Sequence, residues 1–206
     1  MNNELLNITN RLKAIADIGL LYPGNEYDRE RYQELQQLSW QLLRTISGNN
    51  VAQLKTYFPM VKDYPTAKVD IRGMVISPDK KILLIKESAD EKWSLPGGWA
   101  DIGFSPKEII VKEVKEETGL DVIPTSLLAV FDKKMHPHPP QPFYVYKMVF
   151  YCQLISTQIN KGFDVLDVQY FDIHNLPPLS EDRILNSQIE MLYKKISTAD
   201  VETYVD

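Results

Sequence analysis

The stretch GGWADIGFSPKEIIVKEVKEETGL, Gly97–Leu120, constrains the fold more tightly than any other part of the chain. Ser105 and Glu108 stand at capping-box spacing, and Pro106 sits where a helix prefers proline, in its first turn. Gly119 is placed to end the same helix in a left-handed conformation. The spacing therefore predicts one short helix with both ends fixed by local chemistry, entered from a loop that carries a Gly-Gly pair. Ile110, Val111 and Val114 project from one side. Glu113, Glu116 and Glu117 project from another, within a sector of roughly 100°.

Those three carboxylates repel one another. Like charges three and four residues apart destabilise a helix, and the dipole of its C-terminal half disfavours negative charge. Solvent and the nearby Lys107, Lys112 and Lys115 offset part of this. A hard divalent cation offsets more, because Mg²⁺ takes oxygen ligands and usually retains waters that a phosphate can replace. The Gly-Gly pair lets the backbone approach such an ion, so that the Gly97 carbonyl can add a ligand.

Helical spacing of apolar residues governs the first fifty positions. Leu5, Ile8, Leu12 and Ile15 form one stripe, with Gly19 near its expected end. Tyr32, Leu35, Leu42 and Ile46 form a second, between the turn-rich YPGNEYD and GNN. Two such helices bury too little surface to fold alone. We expect a helical domain over 1–60, a boundary near FPMVKDYPTAK where Pro59 and Pro65 interrupt any helix, and a second domain over 66–206. There the period changes to two: Val69, Ile71, Gly73 and Val75 alternate, SPDKK turns, and ILLIK reads as the next strand. Strands are also expected around LLAVFDK, FYVYKMVFYCQL and VQYFDI, with a closing helix in EDRILNSQIEMLYKKI. Strands mixed with two long helices suggest a sheet covered on both faces.

Composition narrows the function. A net charge of −5 gives no sequence-independent attraction to nucleic acid or anionic lipid. No segment approaches the 18 or so apolar residues of a membrane span. The start, MNNELLNITN, lacks a basic region followed by an apolar run, so no secretory signal is read. Cys152 is the only cysteine, which fits a reducing compartment and a buried, inert thiol. The expectation is a cytoplasmic globular protein.

With those residues in place, the chain resembles the Nudix hydrolases, whose signature runs Gly, five residues, Glu, seven residues, then Arg-Glu-aliphatic-x-Glu-Glu-x-Gly-aliphatic. Gly98, Glu113, Val114, Glu116, Glu117, Gly119 and Leu120 fall at the required offsets, while Lys112 replaces the arginine and Phe104 the first glutamate. Asp101 lies near Phe104 but off register. The resemblance runs from about Thr66 to the last helix. It implies an α/β (α+β) fold, an α/β/α sandwich with a mixed sheet, plus the small helical N-terminal domain. It also implies Mg²⁺ or Mn²⁺ held by Glu113, Glu116 and Glu117, with Glu116 or Glu117 as the alternative base for the attacking water. Some members recruit a further acid from a later strand, for which Asp167 is the candidate, with Asp164 behind it.

The N-terminal extension resembles that of a bacterial subgroup containing CDP-choline pyrophosphatases and proteins described as ADP-ribose pyrophosphatases, in which it helps form a dimer. The resemblance favours a small nucleoside diphosphate derivative as substrate, CDP-choline first, giving CMP and phosphocholine. ADP-ribose or another nucleotide sugar, an RNA end, and a silent nucleotide-binding regulator are the alternatives; the acidic balance weakens RNA. Arg72, Trp93, Trp99 and Lys112 are the substrate-side candidates. Arg72 meets phosphate or pairs with a carboxylate. Either tryptophan stacks on a base, cages a quaternary ammonium or packs in the core. Trp40 is a core or dimer contact. His136 and His138 read as an exposed proline-rich loop bordering the substrate mouth, the other reading being a metal pair.

Overall fold

Local signals set the element boundaries. The structure, a computed structural model, describes residues 3–48, 51, 54, 64–141 and 143–206, so the Pro59 part of the expected domain boundary lies outside the described residues. The chain divides into two compact units. One comprises the described residues up to Ala67 with Pro140–Tyr144; the other comprises Lys68–Pro139 with Val145–Asp206.

In the first unit, α1 (Asn3–Leu21) and α2 (Glu26–Ser47) form a helical hairpin. The side chain of Asn25 accepts from the Asp28 N–H to cap α2, and Gly48, at φ 72°, ends it. Gly19 lies inside α1 and does not cap it. A Cβ at this position would overlap the ring of Tyr32, so the glycine serves close helix approach. Trp40 packs with Leu6, Leu43 and Leu54 in the apolar core of this unit. Lys13 and Asp17 form a buried pair at 2.6 Å, with Gln36 donating to the other Asp17 oxygen at 2.7 Å.

The second unit is the α/β/α sandwich. Its strands are β1 (Lys68–Val75), β2 (Ile82–Glu87), β3 (Trp93–Ser94), β4 (Gly97–Trp99), β5 (Val122–Asp132), β6 (Val145–Leu154), β7 (Val165–Phe171) and β8 (Tyr204–Val205). They form a mixed five-stranded sheet, ordered β4-β1-β6-β5-β8, and a three-stranded sheet, β3-β2-β7. Strand alternation feeds two cores. Ile71, Val75, Leu83 and Ile85 pack with Ile109, Ile110 and Val114 of α3 (Pro106–Thr118). Met74, Ile82, Leu84 and Val149 pack with Ile189 and Leu192 of α4 (Asn186–Ser197). Burial on both faces explains the unbroken apolar run ILLI. Ile109 takes the core place expected of Val111, which is exposed. Each buried aliphatic contributes about 1.5–3 kcal/mol. Gly73 lets α3 lie close: a Cβ there would stand 3.1 Å from Ile110 Cδ1. Among the described residues no helix is long and apolar enough to cross a membrane.

Candidate active site

Helix α3 is built as its ends foretell. Ser105 and Glu108 form the reciprocal capping box, and Gly119, at φ 75°, closes it. Its Ile109, Ile110 and Val114 side anchors it on the sheet. Glu113 and Glu117 are thereby turned toward β4, which pairs antiparallel with β1 so that Gly98 faces Ile71 and Gly97 faces Arg72. Gly97 is required by space: it has φ 136°, and a Cβ there would overlap the Ile71 carbonyl oxygen. A Cβ at Gly98 would sit 3.1 Å from a Glu113 carboxylate oxygen, which would have to give by a few tenths of an ångström.

The three glutamates differ in environment. Glu117 is buried, 6% exposed, and accepts the Gly97 N–H at 2.8 Å. Burial pushes its carboxyl up to about 8, with Glu113 and Glu87 adding to the rise and Arg72 and the Gly97 N–H opposing it. Glu113 is half-buried and is raised as well, first by burial and then by repulsion from Glu116. Glu116 turns to solvent, 3.9 Å from the Lys112 ammonium. Lys112 also binds Asp101 at 3.1 Å and lies over the Phe104 ring. The lysine at the signature's arginine position thus bridges to the off-register aspartate.

A loop braces this helix from behind, and the sequence did not mark it. Asn160 N–H donates to the Thr118 carbonyl at 2.8 Å and Gly162 N–H to the Glu117 carbonyl at 2.9 Å. A Cβ at Gly162 would overlap the Glu116 carbonyl oxygen. Gly162→Ala is therefore expected to destabilise the fold by about 1–3 kcal/mol and to lower turnover through the displaced glutamates. Thermal unfolding and steady-state rates on one preparation check both.

Several candidates lie elsewhere. Arg72 is buried: its Nε binds Asp70 at 2.9 Å, one terminal nitrogen donates to the Leu95 carbonyl at 2.9 Å, and Glu87 stands 3.4 Å away. Its donors serve the interior, so the carboxylate-pairing alternative describes it, not the phosphate one. Trp93 belongs to the α4-side core, edge-on to Phe171 at 4.7 Å, and leaves no face for a ligand. Trp99 is 47% exposed, with the Lys68 ammonium 5.3 Å from its ring centre. Asp167 pairs with Lys86 across β7 and β2, and its oxygens accept from Val168 N–H and the Gln169 amide. Its bonds stay on its own strand, away from the glutamates. His136 and His138 form no metal pair: His136 binds Asp206 at 2.8 Å, and His138 is buried, not exposed. Cys152 is fully buried, its thiol pushed up to about 12 by burial.

Residues that sequence reading passed over gather behind the glutamates. Asp70 faces Lys147 across the parallel β1–β6 pair and hydrogen-bonds it. Glu87 accepts from Ser94 at 2.6 Å and binds Arg183 at 2.9 Å. A lysine in the apolar strand FYVYKMVFY was the available signal, since an unpaired ammonium is not buried. The donor set facing β4 is all oxygen, and its two enclosed carboxyls are held up by burial and repulsion, so it suits a hard divalent cation. Among the described residues, no three acid or imidazole side chains converge to hold one as they stand. Glu117 is drawn to Gly97 N–H and Glu116 to Lys112.

A capped glutamate helix set against a Gly-Gly strand in a two-faced sandwich places the chain among the hydrolases of phosphoanhydride bonds. It belongs to the Nudix family. Residues 67–192 match the NUDIX domain, and residues 3–58 match a UDP-X-like, N-terminal oligomerisation domain. The YjhB protein of Bacillus subtilis (strain 168), provisionally named an ADP-ribose pyrophosphatase, is 41% identical over 206 residues, covering 100% of this chain and 99% of its own. A solved structure titled UDP-X diphosphatase shares 33% identity at TM-score 0.64 and covers 100% of both chains. That of an ADP-ribose pyrophosphatase from Streptococcus suis shares 35% at TM-score 0.62, covering 68% of this chain and 100% of its own.

Proposed function

We propose that the protein hydrolyses the pyrophosphate bridge of a nucleoside diphosphate linked to a sugar, with Mg²⁺ or Mn²⁺. The observation that carries this reading is the pair of carboxyls, half-buried Glu113 and buried Glu117, against the backbone of Gly97 and Gly98. Glu113, Glu116 and Glu117 would hold the ion. When bound, it supplies charge neutralisation for the phosphates and a lowered pKa for the attacking water. The Gly97 N–H fixes Glu117, Lys112 steadies Glu116, and a solvent-facing oxygen of Glu116 accepts the proton of the water.

A sugar fits better than choline. A quaternary ammonium needs open aromatic faces. Trp93 is enclosed, and Trp99 and Phe104, about half exposed, each have a lysine ammonium over the ring that repels a second cation. The names of the relatives, ADP-ribose pyrophosphatase and UDP-X diphosphatase, support the same preference. The exposed Ile8, Ile15 and Leu38 of the helical unit, and the oligomerisation domain it matches, support a homodimer.

Products should be identified after incubation of the full chain with UDP-glucose, ADP-ribose and CDP-choline in Mg²⁺ or Mn²⁺. Cleavage of a sugar-linked substrate at least about tenfold faster than CDP-choline is expected, a discrimination of about 1.4 kcal/mol. Activity should vanish in EDTA. Faster cleavage of CDP-choline overturns the sugar preference, and turnover that survives exhaustive chelation overturns the metal.

A further inference from the structure

Buried polar groups without partners are rare in folded chains and ask for a reason. One stands just after β5, at His138, with a cation close to it in sequence. Lys133, in the short 3₁₀ helix Lys133–Met135, is 8% exposed as a residue; its ammonium, not itself fully enclosed, makes no hydrogen bond or ion pair among the described residues. His138, 5% exposed, donates its Nδ1–H to the Glu181 carbonyl at 2.5 Å, which leaves Nε2 as a lone-pair acceptor, enclosed and without a partner. Burial pushes His138 down to about 4, helped by Lys133 and Lys147, so the ring is neutral near pH 7 and this tautomer is the one the carbonyl selects.

Lys147 and Arg72 both bind Asp70, and Arg72 also stands 3.4 Å from Glu87; Lys133, which feels both cations, has no carboxylate in ion-pair contact. Burial lowers Lys133 to about 8, with Lys147 adding to the fall and Asp182 and Asp70 opposing it. Arg72 is the group common to the two regions: it feels Glu117 as well as Asp70. Lys133 is thus within electrostatic reach of Arg72, as Glu117 is.

We propose that Lys133 and His138 form a subsite for the end of the substrate remote from the pyrophosphate bridge. The Lys133 ammonium donates to an oxygen, and His138 Nε2 accepts from an N–H or hydroxyl beside it. The assignment rests on the hydrolase reading above and extends it. The matching chemistry is an acceptor oxygen next to a donor, as on the imide edge of uracil or on neighbouring sugar hydroxyls. A quaternary ammonium offers neither. Both groups are nine-tenths enclosed, so a ligand reaches them as the exposed Met135 and Pro137 give way.

The test compares wild type with Lys133→Met and His138→Phe, and with the conservative Lys133→Arg and His138→Gln. Each is measured by steady-state kinetics and by calorimetric binding of UDP-glucose. Two analogues separate the sources: UDP-glucose methylated at uracil N3, and uridine diphosphate esterified with a simple alkyl group in place of the sugar. The expected result is a rise of about tenfold or more in KM and Kd for UDP-glucose in the Met and Phe proteins, the scale of one hydrogen bond to a charged group. Turnover should stay within about twofold and the Arg and Gln proteins should recover affinity. The wild type should lose as much on one analogue, and the variants should be indifferent to that same analogue. Unchanged KM and Kd in both variants overturn the subsite, as does a loss that persists undiminished on both analogues. If wild type cleaves none of these compounds, the hydrolase reading fails while calorimetry still decides the subsite. Should His138→Phe not fold, Lys133→Met decides alone, since it removes an unpartnered charge and keeps the length of the side chain.

Discussion

Turnover by the Glu117→Gln protein is expected to fall by about 10²–10³-fold, the loss seen when a group that stabilises developing charge is removed, with the fold intact. The substitution isolates charge from shape. A glutamine oxygen can still accept the Gly97 N–H that Glu117 accepts at 2.8 Å, and the capping box and Gly119 hold the helix from both ends. What disappears is an enclosed carboxyl, 6% exposed and pushed up to about 8, which can ionise to meet an entering cation where glutamine cannot. Steady-state rates on a sugar nucleotide, with unfolding midpoints for both proteins, measure the two quantities separately. Glu116→Gln offers the contrast. That side chain is solvent-facing beside Lys112, so its loss is expected in turnover with almost no change in midpoint. Wild-type turnover in Glu117→Gln would remove the enclosed carboxylate from the chemistry.

What the sequence disclosed was local. Helix α3 was legible because Ser105, Pro106, Glu108 and Gly119 are all signals read within one turn of where they act. Both faces of β1 and β2 were legible from alternation and from an apolar run. The polar interior was not. Asp70 meets Lys147 only because β1 and β6 pair in one register, and a register is a relation between segments 77 residues apart. The same hidden pairing drew Arg72 away from the surface, and the edge-on contact with Phe171 drew Trp93 into the core. Four prolines argued that the MHPHPPQP loop lies in solvent. Instead the Glu181 carbonyl captures His138, which is buried. Asp167 was singled out for its place at a strand end, and its oxygens were satisfied by its immediate neighbours. Signals that acted within one element, the caps of α3 among them, landed where expected. Those that needed a partner from elsewhere did not.

The ion-free protein should lose stability between pH 6.5 and 8, an unusual direction for an acidic chain. An exposed carboxyl in the unfolded chain gives up its proton near 4.5, whereas folded Glu117 keeps its proton to about 8. Between those values the folded state binds more protons, so raising the pH favours unfolding. Glu113, raised as well, acts in the same sense. His138 opposes them only lower down: its fall from 6.5 to about 4 makes stability rise with pH over that interval. Lys133 and Lys147, lowered to about 8 from 10.5, add stability with pH only above 8. The interval from 6.5 to 8 is thus left to the glutamates, and Glu117 across it contributes up to about 2 kcal/mol, a shift of a few degrees in midpoint. Unfolding midpoints in EDTA should fall across this interval for wild type and fall less for Glu117→Gln, in which Glu113 remains. Millimolar Mg²⁺ should restore the wild type most at pH 8, where the carboxylate would otherwise stand ionised and alone, and should do less for Glu117→Gln. A wild-type midpoint that holds or rises from 6.5 to 8 without metal would mean that Glu117 is already compensated inside the fold, and the cation would lose its physical motive.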